Sequence, residues 1–167
     1  MRLLACITLL MVVATNAPAA DVPRSCNERR CNQFTIVGRE VVREGKDGAL
    51  VWTRGLWSSD TAEPSTVDAY FFCSITRPAR ITVDDAGDTK TVMLAPLSAW
   101  EYDNHSDMYQ SYFEACHDEG QAAVAERQNV AKRLGYRVLR IRTSRPLGLT
   151  RPESIFFFPP ATRLDRP

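Results

Sequence analysis

Histidine is almost missing from this chain. There are two, His105 and His117, and neither stands in an HxxxH or HExxH spacing. No CxxC occurs, and the C-x4-C of Cys26 and Cys31 has no second pair of ligands beside it, so no four-ligand zinc set is written locally. On a helix starting near residue 107 the two histidines would also lie too far apart to share one ion at bonds of ~2 Å. Equally absent are a G-x-S-x-G elbow, a Walker A loop and a G-x-G-x-x-G fingerprint. No catalytic site, cofactor or metal is therefore predicted, and an enzyme would need an active site gathered from distant positions. Beyond the first twenty residues no apolar run approaches the ~20 residues of a membrane-crossing helix.

What is present begins with Arg2 and the apolar run Leu3 to Ala14, followed by the small residues Ala17-Pro18-Ala19-Ala20. Residues 1–20 read as a secretory signal peptide of bacterial type, which predicts a periplasmic or secreted protein. Cys6 precedes most of the apolar run, which is the wrong order for a lipid attachment site. Cleavage would leave Cys26, Cys31, Cys73 and Cys116, an even number in an oxidising compartment, and so two disulfides. Sequence allows three pairings; proximity favours Cys26 with Cys31, leaving Cys73 for Cys116. Without Arg2 the chain carries 20 basic and 20 acidic side chains. Residues 60–119 hold 3 basic against 12 acidic, and residues 121–167 hold 10 against 3, an asymmetry read first as mutual neutralisation on one surface. An exported, neutral chain is a poor candidate for nucleic acid.

Residues 33–43 and 49–57 are rich in β-branched and aromatic side chains around Glu44-Gly45-Lys46-Asp47-Gly48, which predicts a hairpin. Asp60 to Ser65, with Pro64, is expected to be a loop. Val67 to Ile75 alternates, with Ala69, Phe71 and Cys73 on one face and Tyr70 and Phe72 on the other. A second hairpin is expected from Arg80 to Val83 and Thr89 to Leu94. Helical periodicity follows, with Ser106 or Asp107 as its cap. That reading takes precedence over the glycosylation pattern of Asn104-His105-Ser106. The apolar bearing of Tyr112, Phe113 and Cys116 continues through Gly120 to Ala123, Val130 and Leu134, which predicts one long helix over 107–134. Gly135 should end it. Strands are expected over Tyr136 to Thr143 and Ser154 to Phe158. The fold class is α+β: a mostly antiparallel sheet with the long helix packed on it, disulfide-stapled, in a single domain over 21–160 with a frayed tail at 161–167.

In Tyr112-Phe113-Glu114-Ala115-Cys116-His117-Asp118-Glu119-Gly120 a thiol, an imidazole and two carboxylates adjoin, as in a catalytic cluster. Neighbours on a helix point ~100° apart, so Cys116 and His117 cannot form a nucleophile–base pair. Cys116 is read as half of a helix-to-sheet disulfide, and His117, Asp118 and Glu119 as solvated helix surface. Two groups of residues remain for binding. Trp52, Trp57 and Trp100 form a candidate aromatic surface, with core packing as the competing reading. Arg140, Arg142 and Arg145 could fork onto phosphate or carboxylate groups. The function expected is a non-enzymatic binding or accessory module, inhibitor-like or envelope-associated. Its partner would be a protein or an anionic envelope component; the alternative is a small secreted or periplasmic hydrolase with a scattered site.

Overall fold

A computed structural model of the chain describes residues 25–27, 30–60, 62–96, 99–136 and 149–157. Its centre is a six-stranded sheet whose strand order is the chain order, every neighbouring pair being antiparallel. The strands are β1 (Ser25–Asn27), β2 (Arg30–Gly45), β3 (Gly48–Ser59), β4 (Ala62–Cys73), β5 (Ala79–Val83) and β6 (Thr89–Met93). Helices α1 (Ala99–His117) and α2 (Gly120–Arg133) follow, and a 3₁₀ turn, Pro152–Phe157, ends the described chain. Both expected hairpins are present. The first is closed by Lys46-Asp47, a two-residue connection between the paired Gly45 and Gly48.

Period-two alternation sorts the sheet into two covered faces. On one, Ala69 and Phe71 of β4 pack with Tyr112 and Phe113 of α1 and Ala123 and Val130 of α2. On the other, Leu50, Phe72 and Ile81 lie beneath Leu149 and Ile155. The sheet is therefore a shared middle layer where β3 to β6 are in register. Within it, the buried Thr53 donates its hydroxyl to the Ala69 carbonyl at 3.2 Å. Arg77, its side chain only 3 % exposed, reaches Asp47 at 3.2 Å and lies 5.3 Å over the Phe72 ring.

The single long helix over 107–134 is not what forms. The helical segment begins at Ala99, ahead of the Ser106/Asp107 cap, and breaks after His117. Asp118 takes a left-handed φ of 56°, and its N–H closes the last turn on the Glu114 carbonyl at 3.2 Å. Gly120 is the reason the chain turns back. A Cβ there would lie 2.7 Å from the Glu114 Cβ and 3.0 Å from the Gln110 carbonyl, so only glycine lets α2 start against α1. The apolar phase carries across because both helices bury the same bearing against the sheet, so burial at Ala123 and Val130 is as expected even though continuity is not. Gly135, φ 84°, ends α2 in a Schellman turn, with its own N–H on Lys132 and that of Tyr136 on Ala131.

Two further expectations are corrected. The loop at Asp60 to Ser65 is short, and β4 begins at Ala62; Pro64 is accommodated because the β3–β4 register shifts between Trp57/Ser59. Ser154 to Phe158 is not a strand: the residues through Phe157 form a 3₁₀ turn in which Ile155 is buried and Phe156 packs edge-on to Phe72. Most of the strand expected over Tyr136 to Thr143, the signal segment 1–20 and the tail 161–167 lie outside the described residues.

Candidate functional site

Two places on the fold bring chemically capable side chains together. The first is the face of β3 that carries Trp52, Arg54 and Leu56, where successive odd-spaced neighbours turn to the helices instead. Arg54 forks onto Asp68 of β4, its direct cross-strand partner, with Nε to Oδ1 at 2.9 Å and Nη2 to Oδ2 at 2.8 Å. The same guanidinium lies 5.4 Å over the Trp52 ring. The ion pair holds the Asp68 carboxyl below its usual range and raises the Arg54 guanidinium further above its own. Leu56, 43 % exposed, continues the stripe toward the end of the ribbon. A planar cation stacked on tryptophan and clamped by a carboxylate presents an ordered, partly apolar surface, at little entropy cost to a partner.

The second place is the break between the helices. Tyr112, fully buried, donates toward the Ser74 carbonyl at 3.4 Å and lies 2.7 Å from the Tyr136 hydroxyl, which in turn lies 2.7 Å from His117 Nε2. Phe113 and Tyr112 pack around the imidazole with ring centroids 6.1 and 6.2 Å away. Burial lowers the imidazole below its ordinary value; the Glu119 and Asp118 carboxylates oppose this and the Arg39 guanidinium reinforces it. Burial raises the Tyr136 phenol to about 12 and the Tyr112 phenol well above its usual value, so both keep their protons at neutral pH. His117 is thus the half-buried end of a hydrogen-bonded chain rather than a solvated surface residue. The expectation failed because helix periodicity does not say where Tyr136, beyond the end of α2, returns. Asp118 pairs with Arg39 of β2, and Glu119 with Arg133 of α2.

Cys116 is bonded to Cys73, with Cα atoms 5.3 Å apart, and so is no nucleophile. Cys26 and Cys31 stand directly opposite each other in the β1–β2 register. The three tryptophans are not one surface. Trp52 and Trp57 point to opposite faces of β3 because they are five positions apart, an odd number, and Trp100 lies in the first turn of α1 with its side chain outside the described set. Arg140, Arg142 and Arg145 lie outside the described residues. Sequence reading missed the Arg54–Asp68 clamp; only the β3–β4 register brings the two residues opposite each other. Among the described residues no group of three or more His, Cys, Asp or Glu side chains could hold a metal, and no helix is long and apolar enough to cross a membrane. No family model, curated protein or solved structure matches this chain.

Proposed function

We propose that this chain is an exported, non-enzymatic binding module that docks a protein partner on the Trp52–Arg54–Leu56 face of its sheet. The observation that carries the reading is the stacked and clamped Arg54, with Trp52 beneath it and Leu56 exposed beside it. Tryptophan and arginine held rigid at a partly apolar surface are the side chains that concentrate binding energy at interfaces. Export is supported by the leader-like residues 1–20 and by the Cys73–Cys116 bond, which belongs to an oxidising compartment. An anionic envelope component, held by Arg140, Arg142 and Arg145, is the lesser reading. Cross-linking in the exporting host, with the native chain and a Trp52→Ala/Leu56→Glu variant, tests the proposal. A partner recovered with the native chain, lost with the variant, and rebinding the purified native chain alone is the result expected. Equal recovery by both chains overturns the assignment of the face. Substrate turnover that His117→Gln abolishes would replace the binding module with the alternative hydrolase.

A further inference from the structure

The stretch Gly38-Arg39-Glu40-Val41-Val42-Arg43-Glu44-Gly45 in β2 is its own complement when read backwards. Gly meets Gly, Arg meets Glu, Glu meets Arg and Val meets Val. Among the described residues this stretch is bonded along one edge only, to β3; β1 occupies the other edge opposite Arg30 to Asn32, well short of Gly38. Arg39, Glu40, Arg43 and Glu44 are exposed, and Val41 and Val42 are 49 % and 40 % exposed. A long edge with two exposed valines and no proline is the type of edge that sheets ordinarily protect against pairing with another chain.

The backbone makes the complement usable. Two strands related by a two-fold axis pair residues that share a face, and in a regular strand Glu40 and Arg43, an odd number of residues apart, would point to opposite faces. In β2 they do not. The register passes from Val41↔Val51 to Arg43↔Leu50, so Val42 is an extra, bulged residue. Consequently Glu40 (opposite Trp52) and Arg43 (opposite Leu50) share one face, and Arg39 (opposite Thr53) and Glu44 (opposite Ala49) share the other. A second register shift, between Ile36 and Gly38, ends the regular stretch where the complement ends. Arg39 already reaches Asp118, and the remaining donors of its guanidinium leave it able to meet a second carboxylate.

We propose that the mature protein forms an antiparallel, two-fold homodimer by pairing Gly38 to Gly45 of β2 with the same residues of a second copy. This joins two sheets edge to edge. Arg39 faces Glu44 of the second copy, Glu40 faces its Arg43, and the valines meet at the axis. Opposite charges directly across an antiparallel pair stabilise it, and like charges destabilise it. The dimer does not rest on the proposed docking at Trp52, although its edge adjoins that face through Glu40, the cross-strand partner of Trp52.

Sedimentation equilibrium of the mature, disulfide-intact chain across the micromolar range should show a monomer–dimer equilibrium that weakens with added salt. Glu40→Arg alone puts arginine against Arg43 twice, and Arg43→Glu alone puts glutamate against Glu40 twice. Each should weaken self-association at least about tenfold. Mixed in equal amounts, these two variants should dimerise with each other, and the double exchange E40R/R43E should restore self-association. A native chain that stays monomeric overturns the proposal, as does a dimer that either single variant leaves intact. Failure of the two variants to associate with each other also overturns it, provided that thermal unfolding shows both folded.

Discussion

The bond between Cys73 and Cys116 ties the last residue of β4 to the last turn of α1 across 43 residues of sequence. Replacing both cysteines by alanine should cost about 4 kcal/mol, because a closed loop of this length removes roughly 13 cal/mol/K of entropy from the unfolded chain at 25 °C. Both sulfurs also pack at the margin of the helix-side core, so the loss should not be smaller than the entropic figure. For a domain of this size the change lowers Tm by roughly 10–15 °C. The measurement is urea unfolding of the oxidised native chain and of C73A/C116A, followed by circular dichroism. The variant's m-value should rise slightly as its unfolded chain expands. A difference below about 1 kcal/mol would refute the reasoning, since the loop would then be held short in the unfolded state by something other than this bond. Alkylation before and after reduction, read by intact mass, checks the pairing itself: Cys73 and Cys116 should take label only after reduction.

Two other consequences of the fold can be measured directly. Gly48 opens β3 at φ 149°, and a Cβ there would lie 2.5 Å from the Cys73 carbonyl oxygen, so Gly48→Ala should destabilise the domain by about 2 kcal/mol or more in urea unfolding. An unchanged midpoint would mean that the first hairpin is free to shift. His117 is held below its unfolded value of ~6.5 by burial, so the unfolded chain takes up the proton first. Its contribution is complete above about pH 6.5 and is lost as the pH falls through that value towards the folded one. The stability advantage of the native chain over His117→Gln should therefore shrink between pH 7.5 and 5; an advantage that is constant or grows on acidification would refute the buried imidazole.

Local pattern made much of this fold legible. The composition of β3, the alternation in β4, the turn residues between β2 and β3, the terminating Gly135 and the inward bearing of Cys73 and Cys116 are consequences of backbone period and turn chemistry, which act over a few residues. The same short-range logic excluded a Cys116–His117 pair. It could not find the break at Asp118, because a glycine two residues after an aspartate resembles a tolerated defect until a second helix is packed against Glu114 and Gln110. Nor could it find the Trp52–Arg54–Asp68 cluster or the Ser74–Tyr112–Tyr136–His117 chain, whose members meet through strand register and through the return of the chain after α2. The self-complement of Gly38 to Gly45 is written in the sequence, yet it has meaning only once the bulge at Val42 turns Glu40 and Arg43 to one face. Periodicity, turn residues and cysteine placement thus determine which residues face inward and where the hairpins form. Which side chains meet depends on register, bulges and close backbone approach, which are set only when separate elements compete for the same space.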